Sequence, residues 1–317
     1  MSDFVVPPRF MDATFETYVP DSGIPSQKVA KETLQAFADE PFGKKSFWKK
    51  RLKQRNIYLD GGFGVGKTHL LTALAHKFKG QYAYGSFVQY TNLVGALGFR
   101  DTVEQLSKFQ LLCIDEFELD DPGDTVLMSS LLAELVSRGV RLAVTSNTLP
   151  DQLGEGRFAA DDFMREIQGL AEHFEVLRIE GPDFRHRNDV NPGQSIDHDE
   201  IYKLAVQKNI QVDEFSKLDE HLVKVHPSAY GVLVQNLPAV YIAGVETITN
   251  QNHALRWVAL IDRLYDQMVP VAYSGREVTE LFSQEMLRGG YRKKYLRALS
   301  RLSALTREWW SIQDSNL

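Results

Sequence analysis

An α/β core, with a parallel sheet covered by helices on both faces and a mainly helical domain after it, is the fold that three observations predict for this 317-residue chain. Between about residues 56 and 181, short apolar runs alternate with helical patterns, and strand, helix, strand in repetition is how parallel sheets are connected. Inside that region "GGFGVGKTHLL", residues 61–71, fits the pattern G-x-x-x-x-G-K-[ST] between an apolar run and an amphipathic stretch. From about residue 190 the character changes: "NDVNPGQS" is a turn-rich connector, and mainly helical pattern follows it. The predicted divisions are residues 1–55, an N-terminal strap and basic segment; 56–188, the α/β core; and 189–317, the helical domain.

Taken in order, "NIYL" is the strand before the glycine loop and "THLLTALAHKF" the helix after it. "LLCI" is the strand before Asp115, followed by the helix "TVLMSSLLAELVSRG". That helix has Asp121 as N-cap, Pro122 in its first turn, Asp124 adding charge there, and Gly139 behind Arg138 as its stop. "VRLAVTSN" and "FEVLRIEG" are the next strands. In the helical domain, "NHALRWVALIDRLYDQM" places Leu255, Val258, Ala259, Asp262 and Tyr265 near one face, and "YRKKYLRALSRLSALTREWW" aligns Leu296, Leu299, Leu302 and Leu305.

Composition narrows the functional classes. An apolar fraction of 43% and a charged fraction of 25% are those of a soluble globular protein. The net charge of -6 argues against whole-surface attraction to nucleic acid or anionic lipid. With no basic and apolar leader and no apolar run of membrane-spanning length, neither secretion nor a span is expected. The single cysteine, Cys113, reads as a small buried hydrophobe in a reducing cytoplasm. The eight histidines, His69 and His76 among them, show no metal-ligand spacing.

The glycine loop is that of a P-loop NTPase. Gly61, Gly62, Phe63, Gly64, Val65, Gly66, Lys67 and Thr68 are the predicted nucleotide-binding residues. Glycines let successive N–H groups turn inward as an anion nest, and the helix beginning near Lys67 adds its positive end. Lys67 is expected to bridge the β- and γ-phosphates of ATP, and the Thr68 hydroxyl to ligate Mg²⁺. Asp115, ending the strand "LLCID", is the second expected holder of the Mg²⁺ shell; Glu116 beside it is suited to deprotonate a water attacking the γ-phosphate. That second carboxylate points to hydrolysis over a small-molecule kinase. Asn147, at the C-terminal end of the third strand, reads as a sensor of the γ-phosphate or attacking water.

With "GGFGVGKT", "LLCIDEFELDDPGD" and "VTSNTLPDQL" together, the chain resembles AAA+ ATPases of the ZapE/AFG-like family. "EGPDFRHR" at 180–187, "RWVALIDRLYD" at 256–266 and "LSRLSAL" at 299–305 are similar to further segments of that family, so the resemblance spans about 56–305. It implies an AAA+ core with a C-terminal helical lid, ATP and Mg²⁺ as ligands, and ring-forming homo-oligomers in which a neighbour's arginine completes each site. The family's G-L-x-R finger position falls on Ala160, so the role passes to Arg157 in "EGRF" or Arg165 in "FMREI", with Arg157 preferred. Of the family's paired arginines on the lid helix only Arg256 is present, a candidate nucleotide-sensing arginine or else a helix-surface salt bridge. The family's H-F-H-x-F-M segment is absent, with "QYAYGSFVQY" in its place, and functions tied to those histidines are not carried over.

The resemblance further implies remodelling of a protein partner, with the division-ring protein FtsZ or misassembled membrane proteins as candidates, and cytoplasmic location with recruitment to the division site or inner membrane surface. Its alternative is an ATP-switched nucleic-acid-binding protein of the helicase-loader type, which the basic segment "GKKSFWKKRLKQRN" would serve. Nucleic acid is not the favoured partner, because a solvated helix accounts for that segment in an acidic chain; it could also support peripheral membrane association. "ATFETYVPDSGIPSQ" is either a strap near the adenine or a plain N-terminal strap.

Overall fold

The structure is a computed structural model that describes residues 4–40, 56–118, 122–148, 169, 172, 174–182 and 193–314. It divides into two compact units, Met1–Val6 with Phe10–Phe184, and Pro7–Arg9 with Arg185–Leu317.

The first unit is built on strands β1 (Asn56–Gly61), β2 (Tyr82–Ser86), β3 (Leu111–Asp115), β4 (Arg141–Ser146) and β5 (Phe174–Ile179). They form a parallel sheet in the order β2-β3-β4-β1-β5. Side chains alternate across a strand, so each strand feeds two cores. Tyr58, Leu112, Ile114, Leu142 and Val144 face α3 (Phe87–Leu97), α4 (Phe99–Leu106) and α5 (Pro122–Ser137). Ile57, Leu59, Leu111, Cys113 and Ala143 face α1 (Pro25–Asp39) and α2 (Lys67–Lys77), with Phe15 and Tyr18 of the N-terminal strap in the same cluster. The apolar runs of β1, β3 and β4 are buried on both faces, whereas β5, at the sheet edge, leaves Glu175, Val176 and Arg178 exposed.

Two parts of this unit were not among the predicted elements. The edge strand β2 and the start of α3 stand where "QYAYGSFVQY" offered only a short aromatic stretch broken by Gly85, and α4 follows α3. A usable signal was there: the Ser86 hydroxyl accepts from Gln89 N at 3.4 Å while the Gln89 side chain accepts from Ser86 N at 2.7 Å, the reciprocal cap that S-x-x-Q announces. The chain leaves α5 as expected, with Gly139 N donating to Val136 O at 2.9 Å.

The second unit contains α6 (His198–Lys208), β6 (Val212–Glu214), α7 (Phe215–Lys224), α8 (Tyr230–Leu233), β7 (Val240–Val245), α9 (Gln251–Asp266), β8 (Val271–Gly275) and α10 (Arg292–Asp314). It is mainly helical, and it adds a three-stranded parallel sheet in the order β6-β7-β8. These strands escaped the sequence reading because they are short runs inside a helical pattern, β6 only three residues long. On α9, Val258, Asp262 and Tyr265 are buried, and the aspartate is matched by two cations of α10: Arg297 Nη2 at 2.9 Å and Arg301 Nη1 at 2.5 Å. Arg9 joins this unit by a forked pair with Glu308, at 2.7 and 2.9 Å, and lies over the Tyr265 ring at 3.9 Å. Among the described residues, no helix is long and apolar enough to cross a membrane.

The two arginines hold the Asp262 carboxyl down at about 2, against its ordinary 3.8, while burial pulls the other way. Asp262→Ala leaves two buried guanidinium groups without their carboxylate and is expected to destabilise the second unit by about 3–5 kcal/mol, read from urea unfolding. A carboxyl whose folded value lies below its unfolded one contributes stability above pH 3.8 and loses it as pH falls through about 2. Unfolding midpoints of the parent should drop across that window, and those of Asp262→Ala should lack this component.

Candidate nucleotide site

The C-terminal ends of β1, β4 and β3, adjacent in the sheet, bring Gly61, Ser146 and Asp115 to one edge. The edge outside the carboxyl ends of parallel strands is where open α/β sheets bind ligands. From β1 the chain runs through the glycine loop into α2, whose N-cap is Gly66. Gly66 has φ +91, a left-handed conformation that favours glycine, and a Cβ there would lie 2.5 Å from the Tyr18 ring. At Gly61 a Cβ would meet the carbonyl oxygen of Ile179 at 2.4 Å. The loop is therefore seated between the strap on one side and β5 on the other.

The strap is tied down by polar contacts as well. Tyr18 OH donates to Val65 O at 3.2 Å, and Lys31 Nζ donates to Tyr18 O at 2.9 Å. His69 Nε2 lies 2.9 Å from Thr14 O and 3.0 Å from Thr17 Oγ1. Burial pushes the His69 imidazole below its ordinary value, which keeps it neutral, and pushes the Tyr18 phenol up to about 12.

Lys67 opens α2. Its ammonium donates to Gly61 O at 2.7 Å, Gly62 O at 2.5 Å and Asn147 Oδ1 at 2.7 Å. Two of the sequence-predicted residues, 80 positions apart, are thus in direct contact. The amide nitrogen of Asn147 in turn donates to Glu118 Oε1 at 3.3 Å.

Asp115 is 7% exposed, and a carboxylate at that depth must be hydrogen-bonded. Its Oδ1 accepts from Thr68 Oγ1 at 3.3 Å, from Thr145 Oγ1, and from Glu116 N at 3.1 Å. Its Oδ2 accepts from Tyr84 OH at 3.1 Å. Beyond Asp115 the chain turns off the strand through Glu116, a non-glycine residue at φ +57. The turn is held by Glu116 N donating to Thr145 Oγ1 at 3.0 Å and by Phe117 N donating to Thr145 O at 2.7 Å. A charged residue in left-handed backbone is costly, and such positions cluster at functional sites.

This geometry brings together Gly61 to Thr68, Asp115, Glu116 and Asn147. A hydroxyl and a carboxylate 3.3 Å apart are the hard oxygen donors that suit Mg²⁺, so Thr68 and Asp115 fit the predicted metal. Among the described residues, no cluster of three or more His, Cys, Asp or Glu offers another metal site. Cys113 is buried, and burial pushes its thiol up, as an inert core residue requires. Arg256 lies on α9 in the second unit, where its Nη1 donates to Leu222 O at 2.8 Å and Val225 O at 3.0 Å, around the C-terminal end of α7. That bond set is backbone capping, a different arrangement from a carboxylate salt bridge. Arg157, Arg165, Asp121 and the basic segment 44–55 lie outside the described residues.

The family model of AFG1-like ATPases matches residues 2–194 and 191–312. The chain belongs to the AFG1-like ATPase family. It is an ATP-hydrolysing enzyme with a P-loop AAA+ core, as its sheet, glycine loop and carboxylates lead one to expect. Cell division protein ZapE of Escherichia coli strain K12 is 24% identical over 300 residues, covering 80% of this chain and 78% of that protein. An uncharacterised protein of Schizosaccharomyces pombe is 27% identical over 149 residues, covering 41% and 33%. Among solved structures, domain III of the replication initiation protein DnaA from Thermotoga maritima has 19% identity and a TM-score of 0.42, covering 64% of this chain and 77% of that one. AMPPCP-bound DnaA from Aquifex aeolicus has 14% identity and a TM-score of 0.43, covering 94% and 98%. At that distance these structures carry no inference about ligands or partners.

Sequence reasoning about this ATPase missed Tyr84 and Glu118, and it gave Thr145 no role. Tyr84 lay in the unassigned strand β2. Glu118 is two residues beyond Glu116 in the same acidic stretch, so its signal was present but undifferentiated.

The left-handed backbone at Glu116 yields a test. Asparagine tolerates that conformation better than glutamate, so Glu116→Asn should raise stability by about 1 kcal/mol in urea unfolding without nucleotide. The same variant should turn over ATP far more slowly than the parent.

Proposed function

We propose that this ATPase binds ATP with Mg²⁺ in the loop Gly61 to Thr68 and uses the hydrolytic cycle to remodel or regulate a protein partner. The observation that carries the reading is the Lys67–Asn147 contact at 2.7 Å beside the Thr68–Asp115 contact at 3.3 Å, which joins three sequence motifs at one sheet edge. In this reading Lys67 and the loop N–H groups hold the phosphates, and Thr68 and Asp115 hold the metal. Glu116 orients a water and takes its proton as the oxygen attacks the γ-phosphorus and the bond to the β-bridging oxygen breaks, releasing ADP and phosphate. Asn147 holds the attacking water or a γ-phosphate oxygen. When bound, Mg²⁺ supplies neutralisation of the phosphate charge. Arg157, or Arg165 in its place, reaches the site of a neighbouring subunit in a ring.

The relative named a cell division protein supports division machinery, with FtsZ as the first candidate, as the place to seek the partner. Affinity capture on the ATP-loaded Glu116→Gln protein, compared with the Lys67→Ala protein, tests this choice. Retention of FtsZ by the first and not the second is expected, and equal retention or none removes FtsZ.

The division of labour at the site predicts separate losses. Glu116→Gln should bind ATP with parental affinity and lose most of its turnover, whereas Lys67→Ala should lose binding itself, since one acts on water and the other on ground-state phosphates. Fluorescent-nucleotide titration and phosphate release read the two quantities, and parental turnover by Glu116→Gln would remove Glu116 as the base. In mixed assemblies, an Arg157→Ala subunit should be complemented by a subunit whose own site is dead but whose arginine is intact.

A further inference from the structure

Tyr84 is the least expected member of the site. It sits on the edge strand β2, in the segment "QYAYGSFVQY", and is almost wholly buried at 1% exposure. The parallel register pairs Tyr84 with Cys113 and Ser86 with Asp115, so Tyr84 and Asp115 are diagonal neighbours on one face of the sheet. A long aromatic side chain can span that diagonal, and Tyr84 OH donates to Asp115 Oδ2 at 3.1 Å. The other carboxylate oxygen, Oδ1, is the one that meets the Thr68 hydroxyl at 3.3 Å and also takes Thr145 Oγ1 and Glu116 N. Donors thus converge on the two oxygens from β2, β4, α2 and the turn after β3.

We propose that Tyr84 is a positioning residue for the metal ligand: by anchoring Oδ2, it fixes the carboxylate rotamer that presents Oδ1 beside Thr68. This rests on the assignment of Thr68 and Asp115 as the Mg²⁺ holders. A phenol suits the task because it is a neutral O–H donor on a side chain long enough to reach the carboxylate across the diagonal. It also serves where a cation could not. A lysine or arginine at this position would neutralise the carboxylate that the metal needs, whereas a phenol orients the charge and leaves it in place.

The test separates positioning from packing by the Mg²⁺ gain, the ratio of fluorescent ATP-analogue affinity in Mg²⁺ to that in EDTA. Tyr84→Phe keeps the ring and removes one hydroxyl. Its affinity in EDTA should be parental, its Mg²⁺ gain should fall about three- to tenfold, as loss of one hydrogen bond of ordinary net strength implies, and its half-saturating Mg²⁺ for turnover should rise with kcat at saturating Mg²⁺ retained. An unchanged Mg²⁺ gain, or equal weakening with and without metal, overturns the proposal. Should Tyr84→Phe fail to fold, Tyr84→Phe combined with Asp115→Asn decides: recovery of folding shows that the phenol serves the carboxylate, and failure makes it a packing residue. Asp115→Asn alone guards the underlying assignment, because an undiminished Mg²⁺ gain there removes Asp115 as a ligand whatever Tyr84 does.

Discussion

A charged carboxylate under the surface is the constraint around which the first unit is arranged. Taking Asp115 out of water costs several kcal/mol, about the whole stability of many domains, unless donors replace the lost hydration. They come from Thr68 on α2, Tyr84 on β2, Thr145 on β4 and the backbone of Glu116. Each supplier is placed by a different element, so the strand order β2-β3-β4 and its register are conditions for the charge to exist there at all. The same contacts that make burial tolerable leave Asp115 aimed at the phosphate loop.

The second unit solves a similar problem by another means. Asp262 is also buried, but guanidinium groups answer it, Arg297 and Arg301 from the facing helix. A fully ion-paired carboxylate is closed to further cations and serves to fix how α9 lies on α10. Around Asp115 the donors include the hydroxyls of Thr68, Tyr84 and Thr145 and a backbone N–H. One buried carboxylate is answered by guanidinium groups and the other is reached by hydroxyls, and burial alone would not have told them apart.

The parts of the fold that could be read from sequence share one property: a local pattern decided them. β1, β3, β4 and β5 are apolar runs followed by turn or charge signals, and the glycine loop is a contiguous motif. β2, β6, β7 and β8 were not legible, because short strands beside helices are defined by pairing with partners far along the chain. The site divides in the same way. Lys67, Thr68, Asp115, Glu116 and Asn147 stand at motif positions, whereas Tyr84 is chosen by a diagonal across two strands, a relation with no fixed spacing in sequence. The left-handed turn at Glu116 was equally hidden, since glutamate carries no preference for it.

The contacts of Lys67 bear on how a ligand enters. An ammonium has three hydrogens, and Gly61 O, Gly62 O and Asn147 Oδ1 already accept from it. A phosphate oxygen that takes one must evict an acceptor, so ligation is an exchange of partners in which little net hydrogen bonding is gained. If the evicted acceptor is Asn147, its amide is released at the end of β4 while still joined to Glu118, two residues past Glu116. Occupancy of the loop would then reach the segment after β3 through a single hydrogen bond.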